Sequence, residues 1–160
     1  MAITTINTLK YPSFFAHLGA TVNVNDNVWT KVQFNTEAFD TNSLYDNSTN
    51  YRFSVPTGLS GKWLVTANMY FYDGDNQLTG GRAAFYKSGS QITEYNLDMQ
   101  GGGDRYFAAS TPTISACFNL SDSDYIEVYA RGNTLDSGTF TIQGSASIYN
   151  AFFQAVKLIT

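Results

Sequence analysis

Tyr51-Arg52-Phe53-Ser54-Val55-Pro56-Thr57-Gly58, followed by Lys62-Trp63-Leu64-Val65-Thr66-Ala67-Asn68-Met69-Tyr70-Phe71-Tyr72, is the stretch on which the fold is decided. A short strand meets a corner at Pro56, which removes a ladder donor and fixes φ. Gly58 and Gly61 then accept the backbone angles of a turn. The eleven residues from Lys62 to Tyr72 contain neither Pro nor Gly and are rich in β-prone types. Side chains alternate across a strand, so Trp63, Val65, Ala67, Met69 and Phe71 share one face. That face is wholly apolar and reads as core. Leu64, Thr66, Asn68, Tyr70 and Tyr72 share the other, a mixture that suits a half-covered subunit contact. The pattern predicts a central strand of a β-sandwich.

Upstream, Ser13–Leu18 reads as a short strand, and the polar run from Gly19 to Asn27 as a loop. Val28–Phe34 alternates, with Val28, Thr30, Val32 and Phe34 expected inward and Trp29, Lys31 and Gln33 outward. Residues 35–50 are expected to form small hairpin pieces. Downstream, strands are expected over Arg82–Lys87, Gln91–Leu97, Tyr106–Leu120 (one long strand or a broken pair), Tyr125–Ala130, Thr139–Ile148 and Ala151–Ile159. Asp73-Gly74-Asp75-Asn76, Ser88-Gly89-Ser90, Gly101-Gly102-Gly103-Asp104, Ser121-Asp122-Ser123-Asp124 and Gly132–Gly138 are the turn clusters between them. No helical stripe exceeds two turns. Short strands separated by turn signals at this spacing predict an all-β sandwich or barrel.

At 160 residues the chain is sized for one domain. Its single cysteine, Cys117, excludes an internal disulfide framework and reads as a packed, inert thiol. Neither a basic n-region with an apolar h-region nor a run of ~20 apolar residues is present, so a secretory leader and membrane insertion are not expected. Charged residues make up 14%, against about a quarter in ordinary domains. The surface must therefore be built from Asn, Ser, Thr, Gly and Tyr. A net charge of −4 without any Lys/Arg cluster makes nucleic acid a poor partner.

Several stretches, taken in order, resemble a known family. Phe14-Phe15-Ala16-His17-Leu18 resembles the Phe-x-Ala-x-Leu opening of the globular head of complement component one-q, and Lys31-Val32-Gln33-Phe34 its Val-x-Phe. Tyr45-Asp46 with Tyr51-Arg52-Phe53-Ser54-Val55-Pro56-x-Gly58 resembles Tyr-Asp…Phe-Thr-x-Pro-x-x-Gly. Phe85-Tyr86-Lys87-Ser88-Gly89 stands at Leu-x-Lys-Asn-Gly, and Leu120–Val128 at Leu-x-x-Gly-Asp-x-Val. Phe153–Leu158 is similar to the terminal Phe-Ser-Gly-Phe-Leu. Together they cover residues 14–158 and resemble the jelly-roll family shared with tumour necrosis factor. The wording around Trp29–Val32 and Phe39–Thr49 looks like its bacterial and bacteriophage branch. Ser123 departs from the Gly of the Gly-Asp motif, and no collagen stem is present. The resemblance implies an antiparallel jelly-roll β-sandwich of about ten strands over residues 13–160, behind an N-terminal arm at 1–12. It also implies a homotrimer with a ligand-binding role.

Little in the chain points to catalysis. His17 is the only histidine and reads as structural or interfacial. Most acids sit in turn clusters, where turn chemistry explains them; two paired as a glycosidase acid and base define the hydrolase alternative. No cofactor is expected. Asp73-x-Asp75-Asn76 offers oxygens of the kind Ca2+ takes, without the closing Glu of an EF-hand loop.

The terminal strand Phe152–Leu158 is apolar on both faces, and its own core covers only one. Leu64, Tyr70, Tyr72, Phe153 and Ala155 are therefore the candidate trimer contacts. An even strand count sends both termini to one end. The loops Asp73–Gly80, Gly101–Tyr106 and Gly132–Ser147 are then expected at the opposite apex. Tyr72, Asp73, Asp75, Asn76, Asp104, Arg105 and Tyr106 are the candidate ligand residues there. The expected function is a non-catalytic trimeric virion module, a phage fibre tip or head-fibre knob that binds a host-surface glycan or protein. A capsid decoration or cementing protein is the alternative.

Overall fold

The computed structural model of the chain describes residues 11–75, 77–98 and 106–158, and their secondary structure is all β. In the first half, β1 (Ser13–His17), β2 (Val22–Asn25), β3 (Thr30–Lys31), β4 (Thr36–Asp40), β5 (Tyr45–Asp46) and β6 (Arg52–Ser54) precede β7 (Gly61–Asn68) and β8 (Phe71–Tyr72). There follow β9 (Leu78–Lys87), β10 (Ser90–Gln91), β11 (Tyr95–Asp98) and β12 (Ala109–Ser110). The last four are β13 (Thr113–Leu120), β14 (Tyr125–Thr134), β15 (Thr139–Ile142) and β16 (Phe152–Lys157). Among the described residues, two principal sheets face each other. One runs β13-β7-β16-β1-β4; the other runs β10-β9-β14-β6-β5, with β11 added on β9 and β3 on β14. Every ladder between these strands is antiparallel. These two sheets are the expected jelly roll, built of twelve strands among the described residues, with four more in a smaller sheet, where about ten strands in all were expected.

The alternation read from Lys62–Tyr72 sets the core. Trp63, Val65, Ala67, Met69 and Phe71 are all fully buried. Trp63 meets Phe53 of the opposite sheet at 4.8 Å, and Phe153 meets Phe14 edge-on at 5.1 Å. Offset and edge-on rings of this kind add about 0.5–1.5 kcal/mol beyond their area.

The stretch is not one strand, however. Met69 donates its N–H to Pro112 O, and Tyr70 O accepts from Gln143 N, so the chain leaves the first sheet between β7 and β8. β8 enters a third, smaller sheet, β12-β8-β15-β2, which periodicity did not suggest. Its β2 lies in the expected Gly19–Asn27 loop: Val24 is buried between exposed Asn23 and Asn25, an alternation masked by polar composition. Val28 is half exposed, because the inward alternation begins only beyond the Asn27 turn. Residues 35–50 do not pair with themselves, since β4 joins β1 and β5 joins β6. The strand expected over Gln91–Leu97 is broken, because the N–H groups of Ile92 and Thr93 both reach Phe85 O.

Gly132, expected in a turn, lies inside β14 directly opposite Gly81 of β9. The two glycines make a slot for Phe71 and Phe140, whose rings meet at 5.0 Å. A Cβ on Gly132 would stand 2.5 Å from the Phe140 ring, and one on Gly81 2.9 Å from Phe71.

Two of the family-like motifs meet in space. Asp122 accepts the N–H groups of Gly58 (2.8 Å) and Ser60 (3.0 Å), and Val55 pairs with Asp124 O and Ser123 N. The backbone donors hold the Asp122 carboxyl below the usual range. Ser123 has φ 70°, the left-handed region that favours glycine, which is the residue the family motif has there.

Candidate functional site

Pro12 O accepts from Lys157 N, and Lys62 O from Leu158 N, so the two ends of the described chain leave side by side. β7 runs from there to Asn68, placing β8 and its neighbours at the far end. Three segments are tied together at that end: Asp73 N donates to Ala108 O, Phe107 N to Leu78 O and Leu135 N to Gln77 O. Tyr72 and Tyr106 are exposed there. Asp73 is nearly buried, and its carboxylate accepts the Asp75 N–H at 3.0 Å in a local turn. Asn76, Asp104 and Arg105 lie outside the described residues. Among the described residues no group of three or more His, Cys, Asp or Glu is placed to hold a metal ion.

The second surface is the outward face of the first sheet. Register sets its side chains in three rows. Cys117, Leu64, Val156 and Ser13 form one; Ser115, Thr66, Gln154, Phe15 and Phe39 the next; Thr113, Asn68, Phe152, His17 and Thr36 the third. None of these carries a carboxylate or an ammonium group; the row beyond Leu64, Asn119 opposite Lys62, adds the one ammonium. Phe15 stacks on Phe152 at 5.2 Å and meets Tyr149 at 5.1 Å, while Tyr149 covers His17 at 4.7 Å. Phe39 and Tyr149 are about half exposed. A hollow of about 260 Å³ opens among Phe39, Leu64, Thr66, Gln154 and Val156.

This geometry corrects the sequence reading. Phe153 and Ala155, expected at a subunit contact, are buried in the chain's own core. The outward residues of β16 are Phe152, Gln154 and Val156, so the terminal strand has the expected two apolar faces with their roles exchanged. Leu64 stands on the outward face as read; Tyr70 is half buried and Tyr72 belongs to the end sheet. Cys117 is exposed rather than packed, because its alternation away from Phe118 turns it to this face. Phe15, Phe39 and Tyr149 join this face beyond the residues the pattern names, and β1, apolar on both faces, is the signal for Phe15.

No protein-family model matches the chain, and no curated protein sequence does. Solved structures do. The Eiger TNF from S. frugiperda aligns with a TM-score of 0.66 at 13% identity, over 93% of each chain. Murine APRIL, solved at pH 5.0, aligns with 0.64 at 16% identity, over 93% of this chain and 100% of that one. The fold is a TNF-like jelly roll. Identities this low speak to backbone architecture. In that TNF-like frame, the first sheet turns an aromatic face outward with Lys62 beside it, while the end opposite the described termini carries Tyr72, Asp73 and Tyr106.

Proposed function

We propose that the chain acts as a non-catalytic homotrimeric recognition module of a virion, a phage fibre tip or head-fibre knob. Its apical loops bind a glycan or protein on a host surface. The observation that carries this reading is the outward face of the first sheet, aromatic and aliphatic from Leu64 to Phe39, with Lys62 as its one charged side chain among the described residues of β7, β13, β16 and β1. A jelly roll covers one face of each strand in its own core, so Phe15, Phe39, Leu64, Tyr149, Phe152 and Val156 are left for a partner. Full burial of an exposed apolar side chain is worth roughly 1.5–3 kcal/mol, and these, already partly covered, would each contribute about half of that or less. In a threefold ring each copy meets its neighbour through two different parts of its surface, and identical copies close the ring with no such part left uncovered. Weak apical contacts then gain strength from threefold avidity. The family resemblance supports the trimer, and the wording near Trp29–Val32 supports the phage assignment.

Native mass spectrometry at micromolar concentration tests the assembly; a monomer overturns it. Tyr72, Asp75 and Tyr106, replaced together by Ala, are expected to leave the trimer intact and abolish cell-surface binding. The competing reading is a capsid decoration protein. It wins if that variant binds cells as the parent does while removal of residues 1–12 abolishes attachment to particles.

A further inference from the structure

The outward face of the second sheet carries a group of rings that neither the apex nor the subunit face uses. Along β14, Tyr125, Glu127, Tyr129 and Arg131 alternate with buried Ile126, Val128 and Ala130. β9 sets Tyr86 opposite Glu127, Ala84 opposite Tyr129 and Arg82 opposite Arg131. Ala84 is small, and the rings of Tyr86 and Tyr129 meet at 4.2 Å, inclined by 35°. Trp29 stands edge-on to Tyr86 at 6.4 Å. All three rings stay partly exposed.

The polar groups around them are already arranged. The Tyr86 hydroxyl donates to Gln91 at 3.2 Å, and Lys31 pairs with Glu127 at 2.5 Å. Arg82 faces Glu94 at 3.7 Å. Arg131 differs: its guanidinium donates to the neutral amide oxygen of Asn27, with Nε at 2.8 Å, and among the described residues no carboxylate reaches it.

We propose that this face binds a carboxylated saccharide, its ring packed on the side of Tyr129 that Tyr86 leaves open and its carboxylate on Arg131. The C–H face of a pyranose suits the negative face of an aromatic ring. Asn27 takes the Nε and Nη2 hydrogens on one edge of the guanidinium, and the Nη1–Nη2 edge is the one that can take a carboxylate in two hydrogen bonds, which a neutral sugar does not offer. Both elements stand on strands of ten residues paired along most of their length, so the geometry is held before the ligand arrives. With a net charge of −4, the chain needs a local cation of this kind to accept an anion at all. The site uses none of the apical candidates Tyr72, Asp75 and Tyr106 and none of the first sheet's outward residues.

The test is calorimetric titration of the full chain with sialyllactose and with tri-galacturonic acid, each beside its carboxyl-reduced form. At least one acidic saccharide is expected to bind, and its reduced form to bind about ten- to a hundredfold more weakly, the loss of a hydrogen-bonded charge. Arg131→Gln is expected to produce the same loss for the acidic form and little change for the reduced one. Tyr129→Ala is expected to abolish both. Should Tyr129→Ala fail to fold, Arg131→Gln, a surface change, decides alone. The proposal is overturned if neither acidic saccharide binds at millimolar concentration or if reduction makes no difference. It is also overturned if Arg131→Gln binds like the parent while the Tyr72, Asp75 and Tyr106 triple variant does not.

Discussion

Gly132→Ala offers a test in which backbone and packing predict opposite signs. Gly132 lies inside a strand and its φ is outside the left-handed region, so the backbone accepts alanine. By conformational entropy alone, the change stabilises by roughly 0.4–1 kcal/mol. The added Cβ, however, would stand 2.5, 2.7 and 3.0 Å from three atoms of the Phe140 ring. The shortest of these is about 1 Å inside ordinary carbon–carbon contact. Phe140 is buried and its ring meets Phe71 at 5.0 Å, while Phe71 itself sits over Gly81. The ring cannot retreat without moving a second one. Overpacking costs about 1–3 kcal/mol, and a 2.5 Å approach to a confined ring belongs at about 2–3 kcal/mol in that range, so after a gain of up to about 1 kcal/mol the net change is a loss of about 1–2 kcal/mol. For a chain of this size that lowers Tm by roughly 2–8 °C. Urea unfolding at one fixed protein concentration reads it, with Gly74→Ala as control, where the nearest atom is 3.9 Å away. The penalty should shrink in a Phe140→Leu background, a coupling that a double-mutant cycle isolates. If Gly132→Ala is as stable as the parent or more so, the packing argument is wrong.

Ser123→Gly should stabilise: φ 70° costs an L-residue about 1–2 kcal/mol, and glycine's extra unfolded-state freedom returns part of that. A gain of about 0.5–1 kcal/mol in chemical denaturation is expected; a loss would refute it. Val156→Asp puts a carboxylate among Leu64, Phe39 and Gln154 on the outward face of the first sheet. It should reduce the assembled mass in native mass spectrometry to that of a monomer while leaving the circular dichroism of the fold in place. Asp46 and Asp122 are held below the ordinary carboxylate value by backbone N–H donors, from Thr49 and Ser48 in the first case and Gly58 in the second. Between that lower value and about 3.9, the unfolded chain binds more protons than the folded one. Their contribution is therefore present above pH ~4 and lost as pH falls below it. Asp122→Asn should flatten the acid limb of a stability–pH curve, and an unchanged limb would count against the tether.

The sequence by itself determined the class of the fold and the inner face of its central strand. Period-two alternation over Lys62–Tyr72 depends only on which side chains avoid water, and Trp63 to Phe71 are buried as that pattern requires. The Pro56–Gly58 corner and the Asp122–Asp124 turn were legible as separate punctuation, because their residue types accept only a few backbone angles. That Asp122 ties one to the other across more than sixty residues was not, since a hydrogen bond between distant loops leaves no local signature. The tertiary structure alone decided which face of β16 is core. Both faces are apolar, and alternation identifies two sides without saying which one meets the opposite sheet. Phe153 and Ala155 therefore went inward and Phe152 and Val156 outward. Gly132 misled for a related reason: a glycine reads locally as a turn, whereas here its missing side chain is filled by Phe140 from a strand of another sheet. The ring group on the second sheet is likewise a product of register, which brings Tyr86 beside Tyr129 from strands more than forty residues apart.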